Sequence, residues 1–286
     1  MVRTTDRLMI LAAALLFSTG GAAVKLCSLE SWQVASLRSG IAALALLVFL
    51  PSARRGWTWR TWMVGIAYAA TMILYVLANK LTTAANAIFL QSTAPLYILL
   101  LSPLLLHEKV RRRQVAFMGA LAGGMALFFI GAQPASVTAP DPALGNILGA
   151  AAGFSWALSI IGLRWLGRDQ RREEPAGSAA LAAAACGNLI AFLIALPMAL
   201  PIGVISPLDW VTVVYLGVFQ IAIAYVFLAR GVRRVGALEV SLLLLLEPVL
   251  NPVWALIVHG EQPTVWAIVG GAVIVGATAI NTWRSS

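Results

Sequence analysis

Glu247 is a carboxylic acid inside an apolar run, Ala237 to Val258, next to Pro248 and one turn before Asn251. An acid so placed can carry a coupling proton or meet the cationic group of a solute. It can also serve the backbone groups that Pro248 and Pro252 release. Glu247, Asn251 and Trp254 fall at i, i+4 and i+7, on one helical face. A second set precedes Pro95. That proline frees a carbonyl one turn earlier, near Gln91 and beside Ser92. An amide and a free carbonyl can hold an ammonium group or a water, or the kink can be satisfied by a neighbouring helix. A third set, Tyr68, Met72, Tyr75 and Asn79, forms a single stripe. Its hydroxyl and amide groups suit a wet cavity, and tyrosine also suits a membrane interface. Phe17, Trp156 and Tyr225 are aromatic residues within apolar runs. Small polar neighbours accompany them, Ser18 and Gly21 with Phe17, and Ser155 and Ser159 with Trp156. The chemistry on offer is solute recognition. The candidate substrate-binding residues are Phe17, Met72, Tyr75, Asn79, Gln91, Ser92, Trp156, Ser159, Tyr225, Glu247 and Asn251.

No catalytic set accompanies them. His107 and His259 lie at helix ends, Cys27 and Cys186 lie within apolar runs, and no metal-type spacing or GxxxxGK[ST] loop is present. No metal, cofactor, disulfide framework or ATP hydrolysis is expected, and the chain is not read as an enzyme.

The elements that hold these residues are membrane spans. The 286 residues are 60% apolar and 11% charged, with mean hydropathy +0.89; soluble proteins carry about 25% charged residues. Ten runs are long enough to cross a bilayer as helices. They are Leu8–Leu26, Trp32–Leu50, Thr61–Ala78, Ala84–Leu106, Gln114–Ala132, Leu144–Leu163, Ala179–Leu200, Asp209–Ala229, Ala237–Val258 and Thr264–Trp283. Arg3 and Arg7 precede the first run, which is longer than the ~7–15 apolar residues of a signal peptide, so a retained span is expected. The longest polar stretch, Gly167–Ser178, reads as a solvated loop.

The net charge is +9. With the N-terminus inside, all of the 20 Lys and Arg residues except Lys25, Lys80 and Arg38 fall in or beside cytoplasmic segments. This distribution supports ten spans, both termini in the cytoplasm and residence in the cytoplasmic (inner) membrane. It forms no continuous basic patch, which excludes a nucleic-acid partner. Lys25 and Arg164 read as snorkelling helix ends. Arg38, inside the second span, is expected to pair with a carboxylate such as Glu30 or to line water. Asn86 is placed as a helix cap.

The chain contains an internal repeat. A shift of 153 positions lays Pro248 on Pro95, Glu261 on Glu108 and Gly276 on Gly123. Near the copy starts a shift of 139 lays Trp156 on Phe17 and Arg164 on Lys25. Residues 1–137 and 138–286 are therefore read as two five-helix units. An odd number of spans inverts the second unit, which is a transporter architecture. The fold class is all-α integral membrane, with ten helices in two inverted repeats.

These motifs resemble the EamA-domain family of the drug/metabolite transporter superfamily. The resemblance rests on LFST and Lys25 in the first span, LRSG at Leu37–Gly40, and AP...HE around Pro95. In the second copy it rests on FSW at Phe154–Trp156 and EPV...GE at Glu247–Glu261. It covers the whole chain. The LFST opening and Trp156 are similar to YddG-type exporters of aromatic and neutral amino acids, in which the matching Trp faces the transport path. That group has an aromatic residue where this chain has Ala94. The resemblance implies export of small amphipathic metabolites, neutral and aromatic amino acids first, by alternating access. It also implies that the fifth and tenth spans pack together, with Gly119, Gly123, Gly124, Gly270, Gly271 and Gly276 as packing surfaces. A monomer is favoured over a dimer.

Two other functions fit parts of this pattern. A multidrug or cationic-metabolite exporter would rely on Glu247. A receptor or assembly subunit would have no need of the repeat.

Overall fold

The computed structural model describes residues 4–105, 112–130, 134–168, 178–231, 235 and 237–283. Helical segments follow one another along the chain, without a named strand among the described residues. Span 1 is Thr4–Ser18 continued by Gly20–Leu26, span 2 is Ser31–Phe49 and span 3 is Trp59–Leu81. Span 4 is Ala84–Gln91 continued by Ala94–Leu105, and span 5 is Arg112–Ile130. Span 6 is Pro142–Arg168 and span 7 is Ser178–Ala199. Span 8 runs Pro207–Gly231, with a π-helical segment at Tyr215–Ile223. Span 9 is Ala237–Leu244 continued by Leu246–His259, and span 10 is Val265–Trp283. Nine of these carry apolar stretches long enough to cross a membrane; the apolar part of span 5, Gln114–Ile130, is shorter.

Helix ends follow local chemistry. Thr58 and Thr61 form a capping box at the start of span 3, and Ser206 caps span 8 just before Pro207. Gly260 ends span 9 in the left-handed conformation, with φ 64°. Thr83, rather than Asn86, caps span 4: its hydroxyl accepts from the Asn86 amide at 3.2 Å. The Asn86 side chain instead joins Thr82 and Asn146. Spans 3 and 6 run past their apolar limits, into a layer where Arg60 lies 4.7 Å from the Trp165 ring. Such interfacial aromatic and basic residues keep a helix going beyond the hydrocarbon.

Span 3 packs on span 6, and span 1 on span 8. Span 2 packs on span 7, span 4 on span 9, and span 5 on span 10. Exchanging the first five spans for the last five converts each of these pairs into itself or into another. The contact between spans 5 and 10 is made at Gly124 and Gly270. A Cβ on Gly270 would lie 2.7 Å from the Gly124 carbonyl oxygen. Gly271 packs against Phe89 in the same way, but Gly119, Gly123 and Gly276 face open space. The glycine surface is thus narrower than the sequence implied, because only one face of each helix meets its partner.

Gly270→Leu is expected to force the two helices apart and destabilise the bundle by ~1–3 kcal/mol, the usual cost of overpacking. Gly276→Leu, on the open face, is expected to be neutral. Thermal unfolding in detergent compares the two.

Candidate functional site

Spans 1, 4 and 9 are each broken, and the breaks have local causes. In span 1 the Ser18 and Thr19 hydroxyls donate to the Leu15 and Leu16 carbonyls, both at 2.7 Å. In span 4 Pro95 supplies no N–H, and the Ser92 and Thr93 hydroxyls take the Ile88 and Leu90 carbonyls at 2.7 and 2.6 Å. Span 6 closes on this break through Gly153, where a Cβ would lie 2.8 Å from the Leu90 oxygen. In span 9 the break at Leu245 precedes Glu247 and Pro248.

Beside the breaks in spans 4 and 9 lies a cavity of about 210 Å³. Phe17 of span 1, Met72 and Tyr75 of span 3 and Gln91 of span 4 line it. Trp156 of span 6, Tyr225 of span 8 and Glu247 of span 9 complete the group of sequence candidates on its wall. Phe17 meets Tyr225 edge to face at 5.4 Å. Tyr68 backs both large rings, 6.3 Å from Trp156 and 5.8 Å from Tyr225. One side of the cavity is therefore aromatic, and Gln91 and Glu247 bring polar groups to it.

Four candidates do not reach the wall. The Asn79 amide donates to the Tyr75 carbonyl at 3.2 Å, and the Ser159 hydroxyl to the Ser155 carbonyl at 3.0 Å. Ser92 is engaged at the span 4 break. Asn251 donates to the Tyr75 hydroxyl at 3.3 Å and so holds a wall residue from behind. Trp254 lies further along span 9 and donates to the Ser18 hydroxyl at 2.9 Å. It borders a separate, apolar cavity of about 300 Å³ between spans 1, 8 and 9. Residues seven apart are displaced by about 10 Å along a helix axis. The stripe from Glu247 to Trp254 is thereby divided between two cavities.

Sequence reading missed Gln220, Ile221, Leu228 and Leu244 on the central wall. The first two belong to the π-helical segment of span 8, a local geometry that hydropathy does not reveal. π-segments re-aim side chains and are frequent at functional sites. Span 8 approaches span 2 closely here: a Cβ on Gly217 would lie 2.8 Å from the Arg38 carbonyl oxygen.

Arg38 also lines this cavity and is only 1% exposed. It does not pair with Glu30, which is occupied at the start of span 2 in a capping box with Gln33. The Arg38 guanidinium donates to the Met72 carbonyl at 3.2 Å and lies 6.0 Å from the Tyr75 ring.

One end of the bundle is sealed by buried polar contacts. Lys25 does not snorkel to solvent. It is 3% exposed in an ion pair, N···O 3.1 Å, with Glu261, itself 3% exposed. Lys25 also donates to the Thr82 carbonyl at 2.8 Å and to the Thr138 carbonyl. Glu261 accepts from the Ala84 amide at 2.7 Å, at the start of span 4. Beside this pair Asn146 accepts from Thr82 at 2.8 Å and from Asn86 at 3.0 Å, and donates to the Phe128 carbonyl at 2.8 Å. At the opposite end, Arg7 and Glu239 form an ion pair at 2.6 Å that is half exposed on the Arg7 side. Glu108, the repeat mate of Glu261, lies outside the described residues.

A helical membrane bundle with a central solute-sized cavity and a sealed end has the form of a transporter. Two stretches, residues 7–130 and 143–283, match the EamA-like transporter family, and the chain belongs to that family. A relative in Ancylobacter novellus, named aromatic amino acid exporter YddG, is 30% identical over 85% of this chain and 82% of its own. An uncharacterized transporter of Archaeoglobus fulgidus is 26% identical over 75% of this chain and 72% of its own. A solved crystal structure superposes with TM-score 0.65 over 99% of this chain and 98% of its own. At 22% identity it establishes the shared fold.

Proposed function

We propose that this chain is a secondary transporter that exports small amphipathic metabolites, neutral and aromatic amino acids foremost, by alternating access. The observation that carries the reading is the central cavity, whose aromatic and polar wall is drawn from both halves of the chain. The similarity to a protein named an aromatic amino acid exporter supports the same substrate class. The paired helices and the two family matches support two five-helix units, 1–137 and 138–286, that rock about the cavity. Lys and Arg placement argues for cytoplasmic termini in the inner membrane. On that orientation the Lys25–Glu261 end is the outer one, and the described conformation is closed outward.

In this scheme Phe17, Tyr75, Trp156 and Tyr225 hold the apolar part of the solute, with Met72 filling between them. Gln91 and Glu247 meet its polar part. Asn79 and Asn251 support Tyr75, while Ser92 and Ser159 shape the helices behind the wall. An organic-cation exporter built on Glu247 is disfavoured, because Arg38 brings positive charge to the same cavity.

The test is flux of labelled amino acids in proteoliposomes, with and without a proton gradient. Movement of phenylalanine or leucine is expected, and movement of none of the common neutral amino acids would sink the reading. Trp156→Ala is expected to raise the apparent KM for phenylalanine about tenfold, corresponding to ~1.4 kcal/mol of lost ring contact. An unchanged KM would remove Trp156 from the path.

A further inference from the structure

The wall of the central cavity holds charges and polar atoms that do not satisfy one another. A guanidinium stays protonated in proteins and always demands acceptors. Arg38 nevertheless lies in no ion pair among the described residues, and its Nε has no hydrogen-bond partner. Glu247 lines the same cavity without a hydrogen bond or ion pair to any described residue, and it is not within ion-pair distance of Arg38. The side-chain oxygens of Gln91 and Gln220, also wall residues, are buried without partners. The cavity thus offers one cationic side chain without a counter-ion and several acceptors without partners among the described residues.

Buried groups of this kind are costly unless a partner meets them. An apolar solute would pair none of them. An organic cation would meet the acceptors and leave the guanidinium unpaired, next to a second positive charge. A carboxylate alone would meet Arg38 and be repelled by an ionised Glu247. The complementary solute carries a carboxylate and an ammonium on adjacent positions, with an apolar remainder for the aromatic wall.

We propose that Arg38 is the carboxylate-binding residue of the cavity, and that Gln91, Gln220 and Glu247 form the opposing ammonium subsite. The site then selects the zwitterionic head of an α-amino acid. This assignment rests on the amino-acid-export reading and deepens it by naming which groups read which end of the solute. The planar donor fork of arginine matches a carboxylate, as a lysine ammonium does not. Its contacts to the Met72 carbonyl and the Tyr75 ring hold the fork in place.

The experiment uses the full chain in proteoliposomes, with labelled phenylalanine as the transported probe. The competitors are unlabelled phenylalanine, phenethylamine, which lacks the carboxylate, and 3-phenylpropionate, which lacks the ammonium. In the native protein each half-analogue is expected to compete about 10- to 100-fold more weakly than phenylalanine, the range for a lost hydrogen bond to a charged group. In Arg38→Gln the KM for phenylalanine is expected to rise, and phenethylamine to compete nearly as well as phenylalanine. Arg38→Lys is expected to recover part of the discrimination. In Glu247→Gln, 3-phenylpropionate is expected to gain while phenethylamine loses.

A purely structural Arg38 would weaken all competitors together and leave their ratios unchanged, and that outcome overturns the assignment. So does a native protein that accepts phenethylamine as readily as phenylalanine, a result that needs no variant to fold. If the native protein moves no amino acid, the export reading fails and this assignment falls with it. If it moves amino acids without discriminating the half-analogues, the export reading stands and only the assignment fails.

Discussion

Lys25→Met is expected to open the Lys25–Glu261 end of the bundle and to raise the labelling rate of Cys27 about 100-fold. The substitution leaves Glu261 charged and buried without its ion-pair partner. Removing one member of a buried pair costs ~3–5 kcal/mol, and 3 kcal/mol corresponds to a factor of about 150. The cost falls mainly on the closed state, because opening this end returns the Glu261 carboxylate to water. Cys27 reports the change. It adjoins the seal, is 1% exposed, and its carbonyl accepts from Lys80. Burial pushes its thiol up to about 11, so thiolate is scarce at neutral pH while the end stays closed. Opening exposes the sulfur and returns its acidity toward the ordinary thiol value, and both changes speed labelling. The measurement uses a membrane-impermeant maleimide on oriented vesicles in a Cys186→Ser background. Adding Glu261→Gln to Lys25→Met removes the stranded charge and is expected to restore slow labelling. If Lys25→Met labels at the native rate, the ion pair does not hold this end shut.

Asn146→Leu is expected to destabilise the fold more than any single substitution on the cavity wall. Asn146 is the acceptor shared by Thr82 and Asn86 and the donor to the Phe128 carbonyl. It ties span 6 to the ends of spans 3 and 5 and the start of span 4. The Thr82 hydroxyl and the Phe128 carbonyl lose this partner, while Asn86 keeps Thr82; at ~1–3 kcal/mol for each buried polar group deprived of its partner, the loss is roughly 2–6 kcal/mol in all. Thermal unfolding in detergent should show a large fall in midpoint. Flux per folded molecule should change little, because Asn146 does not line the cavity. A fall no larger than that of Ser159→Ala, which removes one hydroxyl-to-carbonyl contact, would show that the cluster contributes little.

All ten spans were legible in the sequence because crossing a bilayer is a local requirement. Each run must be apolar over its own length. Part of the cavity was legible for a related reason. Glu247 is a residue type that lipid-facing surfaces reject, so its presence within a span already points inward; Trp156 sits deeper than an interfacial tryptophan, and Phe17 is its repeat mate. The prolines announced the breaks in spans 4 and 9. The break in span 1 carried no such signal, because serine and threonine hydroxyls bond helix carbonyls in unbroken helices too.

Neighbours across the bundle were not legible. Lys25 and Arg38 look alike in sequence, each a basic residue in an apolar setting. One is buried against Glu261 far along the chain, and the other lines the cavity beside Tyr75. Hydropathy ranks the two positions but does not say what packs against them. The same limit explains Gln220, carried to the wall by a π-helical segment that has no hydropathy signature of its own.

By itself, then, the sequence determined the membrane class and the succession of apolar helices, since each is a property of residue type and spacing along one helix. Only the tertiary structure decided which faces of those helices meet. It set Arg38 and Glu247 in one cavity without pairing them, and it buried Lys25 against Glu261 to seal one end. Those outcomes depend on contacts between residues far apart in the chain, where the free energy of burying a charge is settled by its neighbours in space.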